Sequence, residues 1–158
     1  MSDTRASSFG GDRRKPIRRR VEVVIRKGNK VLVGKYFRRT TQEYFYAWPG
    51  GGIDGEETGA DAAVREVLEE VGVDIRNVKD LNIMTDSPPP YFIPNYKFSR
   101  VITEWFVADY AGENLEFFNT ARDGIVERMW LEKKDALEHI NDSLYAPGAI
   151  KAIKKVLG

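Results

Sequence analysis

The 158-residue chain has no cysteine, one histidine (His139), and no apolar run near the ~20 residues that cross a bilayer. Lack of cysteine excludes a disulfide framework and any thiolate metal site, and it suits a reducing compartment, so a cytoplasmic location is expected. The core must then hold the fold unaided, and a chain of this length buries enough surface to do so. His139 falls on what reads as a surface helix and is no catalytic candidate. The N-terminus lacks the apolar stretch of a signal peptide, so neither spans nor leader is expected, and no membrane partner.

The chain carries 42% hydrophobic and 31% charged residues, a balance that argues for a globular fold and against wholesale disorder. Its net charge of +1 hides an asymmetry, because residues 1–20 hold seven Arg and Lys against two Asp. Residues 1–17 show no periodicity and read as a basic tail, followed by one domain over 18–158. Such a tail is either a disordered, solubilising leader or a grip for phosphates and RNA.

"RVEVVIRKGNKVLVGKYF", from Arg20, reads as two strands joined at Gly28-Asn29. Tyr44–Trp48 is aromatic and strand-like, and Pro49 holds Trp48 extended before a glycine loop. Thr58 is a helix N-cap and Gly72 a helix stop. Between them Val64, Val67, Leu68 and Val71 recur at helical spacing, predicting one apolar stripe against a core. Ile75–Met84, "RVITEWFVADY" and "VERMWLE" predict further strands, "SPPPYFIPNY" a proline-rich loop, and "KKDALEHIND" and "PGAIKAIKKVLG" helices. Strands, helix, strands, helices in that order predict an α/β or α+β sandwich.

The candidate site is the stretch from Gly50 to Glu70. At ~100° per residue Glu66, Glu69 and Glu70 share one helix face, which the apolar stripe predicts to be turned away from the core. Clustered carboxylates are hard ligands for Mg²⁺ or Mn²⁺ alongside phosphate oxygens. Gly50, Gly51, Gly52 and Gly55 let a ligand approach the backbone closely, and the loop ends at a helix N-terminus that favours anions. Arg65 can brace a neighbouring carboxylate in a fixed fork.

With every fixed position filled, Gly51, Glu57, Arg65-Glu66, Val67, Glu69-Glu70, Gly72 and Val73 match the pattern G-x5-E-x7-R-E-U-x-E-E-x-G-U, and the segment resembles the Nudix box. The resemblance implies a Nudix-type α/β/α sandwich with a mixed central sheet. It also implies a pyrophosphohydrolase that cleaves a diphosphate linked to another moiety by water attack at phosphorus. By that resemblance Glu66, Glu69, Glu70, the Gly50 carbonyl and Glu57 are candidate ligands of Mg²⁺ or Mn²⁺, and Arg65 orients the glutamates. Glu57 alternatively supports the loop. The general base is left open among Asp123, Glu127 and Glu66.

Candidate substrate contacts are Gly51, Gly52, Arg38, Trp48, Tyr46 and Tyr91; for the aromatics, ordinary core packing is the competing reading. Pro88 and Pro89 resemble a marker of ADP-ribose hydrolases and Tyr91 one of dinucleoside polyphosphate hydrolases, so together they select neither. Nucleoside triphosphates and sugar nucleotides also remain open. Alternatives are an RNA 5′-end pyrophosphohydrolase and a non-catalytic nucleotide- or RNA-binding Nudix module. Many relatives dimerise, so a homodimer is an expectation by resemblance.

Overall fold

In a computed structural model of the protein, the residues described are 14–91, 93–113, 125–140 and 148–157. β1 (Ile17–Lys27) and β2 (Lys30–Arg38) form the predicted hairpin. Lys27 pairs with Lys30 across Gly28-Asn29, and Gly28 takes a φ of 59° that a side chain would resist. Beyond Arg26↔Val31 the two strands part and acquire different neighbours. β1 runs parallel to β6 (Arg100–Tyr110), which carries β5 (Ile75–Ser87) on its far side. On its other side β1 receives the three-residue β4 (Gly50–Gly52), through Arg20↔Gly52, Val21↔Gly51 and Glu22↔Gly50. β2 is flanked by β3 (Glu43–Ala47) and β7 (Ile125–Glu132).

Strand alternation divides the core between the two faces of this seven-stranded mixed sheet. Val21, Val23, Ile25, Leu32 and Phe106 pack beneath α1 (Gly59–Val71). Val24, Val31, Val33 and Trp105 pack beneath α2 (Lys133–His139) and α3 (Ala149–Leu157). The result is the expected α/β/α sandwich. Among the described residues no helix is long and apolar enough to cross a membrane.

α1 begins and ends at the predicted signals. The Thr58 hydroxyl accepts from the Asp61 N–H at 3.1 Å, and Gly72, with a φ of 71°, donates its N–H to the Leu68 carbonyl. Its buried face differs from the predicted one. Val67 and Val71 are buried, but Val64 and Leu68 are 43% and 47% exposed. Ala62, Ala63 and Glu66 take the inward positions instead. Small residues explain the rotation: the alanines let the helix lie close to the sheet. Gly59 does the same at the entry, where a Cβ would stand 2.8 Å from the Phe106 ring.

Trp48, an expected substrate contact, is a core residue at 2% exposure, packed in the cluster of Val24, Val33 and Trp105. The period-two pleat turns it inward, away from the glycine loop that follows. Trp48→Ala should therefore cost about 3–5 kcal/mol of stability in urea titration. A variant with native stability and a raised KM would return Trp48 to the substrate site.

Candidate active site

The glycine loop and α1 are joined by one side chain. Arg65 Nη2 donates to the Gly52 carbonyl at 2.9 Å and to Glu57 Oε1 at 2.6 Å, and its Nε donates to Glu57 Oε2 at 3.0 Å. Its Nη1 donates to Glu66 Oε1 at 2.8 Å and Glu69 Oε2 at 3.2 Å. The planar guanidinium thus saturates its donors on the residues the site is made of. Hydrogen bonds from Arg65 and from the Asp54 N–H draw the Glu57 carboxyl down to about 2, and bonds to Glu57 and Glu66 raise the Arg65 guanidinium. Glu57 therefore stands as the clamp of the loop.

The three helix glutamates do not share one wet face as the spacing predicts. Glu66 is 6% exposed and lies over Gly51, where any Cβ would collide with its carboxylate. Glu69 is exposed, and Glu70 accepts a short hydrogen bond from the Tyr36 hydroxyl of β2. Burial, then the negative charge of Glu70, pushes the Tyr36 phenol upward. The Tyr36 ring stacks on Phe45 at 5.3 Å, and the Arg38 guanidinium lies 4.6 Å over that Phe45 ring. Arg38 thus stands at the end of an aromatic stack leading to Glu70.

A fourth carboxylate escaped the sequence reading. Glu22 is fully buried in β1, with Oε1 held 2.8 Å from the Arg20 guanidinium. Its Oε2 accepts no hydrogen bond within the described protein and would lie 2.9 Å from a Cβ at Gly50. Burial first, and then the charge of nearby Glu70, push this carboxyl up to about 8 against the pull of Arg20. The one available signal was an acid inside the apolar run "VEVVI".

The other candidates lie elsewhere. Glu127 pairs with Lys35, in the register that sets Val33 opposite Met129 on the α2 and α3 side of the core. Asp123 lies outside the described residues. Tyr46 packs partly against the α2 side of the core, edge-on to His139 at 5.1 Å. Tyr91 is 72% exposed; it is Tyr96 and Phe98 of the same loop that line a cleft with the glycine turn.

The donor set fits a hard divalent cation: buried Glu66, Glu69, Glu70, the β4 carbonyls, and an unpartnered oxygen of Glu22 beside Gly50. Among the described residues no three acidic or histidine groups stand gathered as a finished metal cluster. In this arrangement Arg65 meets the charge of Glu66 and Glu69, and Tyr36 serves Glu70.

The fold is a mixed sheet between helices, with a glycine turn clamped to an acidic helix. A model of the NUDIX domain matches residues 16–153, and the chain belongs to the Nudix family of hydrolases, which act on phosphoric anhydrides and generally use divalent metal ions. It is 28% identical over 137 residues to the RNA pyrophosphohydrolase of Dinoroseobacter shibae, covering 79% of this chain and 82% of that one. It is 32% identical over 96 residues to the RNA pyrophosphohydrolase of a Wolbachia species from Brugia malayi, where the match spans only 58% of each protein. An 8-oxo-dGTP diphosphatase of Proteus vulgaris is 29% identical over 83 residues, 52% of this chain and 72% of that one. Among solved structures, a NUDIX hydrolase from Nitrosomonas europaea superposes with a TM-score of 0.66 at 19% identity, covering 90% and 89% of the two chains. The dihydroneopterin triphosphate pyrophosphohydrolase of E. coli gives 0.64 at 22% identity, covering 89% and 97%; both likenesses speak to the fold.

Glu22 generates a pH prediction for chelator-treated protein. The unfolded chain releases this proton near 4.5, whereas the folded protein keeps it up to about 8. The neutral carboxyl is thus fully compatible with the fold below 4.5, and stability falls as pH rises toward 8. Thermal unfolding in EDTA should show that decline, and Glu22→Gln should flatten it. Equal slopes for both proteins would remove the assignment.

Proposed function

We propose that this Nudix hydrolase is a Mg²⁺-dependent pyrophosphohydrolase of a nucleoside 5′-polyphosphate, free or at an RNA end. The observation that carries the proposal is the Arg65 fork, which joins the Gly52 carbonyl, Glu57, Glu66 and Glu69 into one rigid unit. The relatives named for RNA and for 8-oxo-dGTP support a nucleotide as the moiety attached to the diphosphate. Of the divalent ions, Mg²⁺ suits an all-oxygen donor set completed by substrate phosphates.

Glu66, Glu69, Glu70 and the Gly50 carbonyl hold the cation, with Glu22 beside them. When bound, the ion neutralises the diphosphate and lowers the pKa of the attacking water. Arg65 keeps Glu66 and Glu69 from swinging apart. Gly51 leaves room for the Glu66 carboxylate, and Tyr36 fixes the rotamer of Glu70 through its hydroxyl. Because these side chains are set beforehand, little reorganisation remains for the reaction itself.

Incubation with nucleoside triphosphates, ADP-ribose, sugar nucleotides, dinucleoside polyphosphates and 5′-triphosphorylated RNA, with and without EDTA, tests the reading. Metal-dependent release of phosphorylated products is expected, and Glu70→Gln should abolish it in a folded protein. Arg65→Lys should lower kcat about 10–100-fold, because an ammonium cannot reproduce the fork. No product from any substrate would leave a binding module as the better description.

A further inference from the structure

Beside the glycine turn lies a cleft of about 430 Å³. Its floor is the turn itself, from Gly52 to Gly55. One wall is the start of β1, at Arg18 and Arg19, and the other is the segment Tyr96–Phe98 of the proline-rich loop. Both walls are tied down: Ile53 donates its N–H to the Arg19 carbonyl at 2.9 Å, and Ser99 donates to the Pro16 carbonyl at 2.8 Å. Lys15 Nζ adds a bond to the Tyr96 carbonyl at 2.8 Å. The cleft is a built feature of the fold.

Its chemistry is specific. Arg18 donates to the Tyr96 hydroxyl at 3.1 Å, a neutral partner, and its charge otherwise acts at longer range on buried Glu22. Lys97 lies 5.2 Å over the Phe98 ring. Among the described residues neither cation has a carboxylate within ion-pair distance. Arg19 is paired with Glu104 at 3.1 Å, and Asp54, an acid in the lining, stands 3.4 Å from Arg65. The surface on offer is therefore cationic, with the rings of Tyr96 and Phe98 beside the charges, 5.6 Å apart. Cations beside ring faces recognise a phosphate attached to a base. The volume lies within the range, about 300–1,000 Å³, of small-ligand sites.

We propose that this cleft binds a second nucleotide unit of the substrate, the one beyond the diphosphate that is cleaved. The inference rests on the pyrophosphohydrolase reading for the position of that diphosphate, over Gly51 and Glu66. From there a substrate crosses Gly52 and meets Arg18 and Lys97 with its next phosphate and Tyr96 and Phe98 with its next base. Two sources supply that chemistry: the second nucleotide of a 5′-phosphorylated RNA, and the far nucleoside of a dinucleoside polyphosphate.

The test uses the full chain with Mg²⁺. Calorimetry compares a 5′-monophosphorylated dinucleotide with a nucleoside monophosphate, and kinetics compare a 5′-triphosphorylated dinucleotide, a dinucleoside tetraphosphate and a nucleoside triphosphate. The dinucleotide should bind at least tenfold tighter than the mononucleotide. Lys97→Glu, a surface change that spares the fold, and Phe98→Ala should each erase most of that advantage. Both should raise KM for the extended substrate rather than lower kcat, and the extended substrate so affected names the source. Equal binding of mono- and dinucleotide, or equal weakening of both by Lys97→Glu, would overturn the subsite. Dinucleotide binding that depends on Lys97, without hydrolysis of any anhydride, would keep the subsite and reject the pyrophosphohydrolase reading. Hydrolysis indifferent to both variants would do the reverse.

Discussion

The arrangement of the site depends on a single guanidinium. Four carboxylates crowd one end of α1 and the turn before it, and left alone they would repel and swing into water. Arg65 counters this by donating to Glu57, Glu66, Glu69 and the Gly52 carbonyl together. An isolated exposed ion pair is worth about 0–1 kcal/mol. A forked network is different, because each bond holds the planar group in place for the next. Burying Glu66 is tolerable because its charge is met on arrival. The depressed carboxyl of Glu57 is the electrostatic trace of the same bond. The network acts as geometry: it fixes where the turn ends and which way the helix glutamates point.

The glycines make that geometry possible by what they omit. β4 is pressed between β1 and α1; a side chain at Gly50 would strike the Val21 carbonyl, and one at Gly51 would strike Glu66. Close approach at the turn also sets the rotation of the helix. With Ala62 and Ala63 against the sheet, α1 turns Glu66 inward and leaves Val64 and Leu68 in solvent. Arg128, whose guanidinium burial renders less basic, donates to the Val71 carbonyl at the end of α1 and helps hold that rotation. Two apolar side chains are left exposed so that one carboxylate can be placed.

This explains which features were legible in the sequence. The hairpin, the caps of α1, "RVITEWFVADY" and the spacing of the glutamates are local signals, and each appears where its residues stand. The buried face of α1 was misread because counting only large apolar residues gives alanine no weight, although alanine allows the shortest distance to the sheet. The sequence leaves Trp48 between substrate contact and core, because an aromatic beside a loop looks the same whether it points in or out, and it lies in the core. Glu22 needed tertiary knowledge: an acid alternating with valines signals a solvent-facing strand, unless β4 and β6 flank it on both sides. Tyr36 belongs to the same class, since its partner Glu70 is distant in sequence.

The glycine turn therefore has two sides with different origins. Toward α1 it meets residues of the box, of which Glu57, Glu66 and Glu69 bond to Arg65 and Glu66 lies against Gly51. At the cleft it meets Arg18, Lys97 and Phe98, which come from the start of β1 and from a loop outside the box. The two sets meet at the backbone of the turn and at Asp54, which lines the cleft and stands 3.4 Å from Arg65. On the proposed reading, one hydrolytic centre would serve substrates with different extensions. On that reading selectivity would reside in a short loop, anchored through Ser99 to Pro16 and through Tyr96 to Lys15.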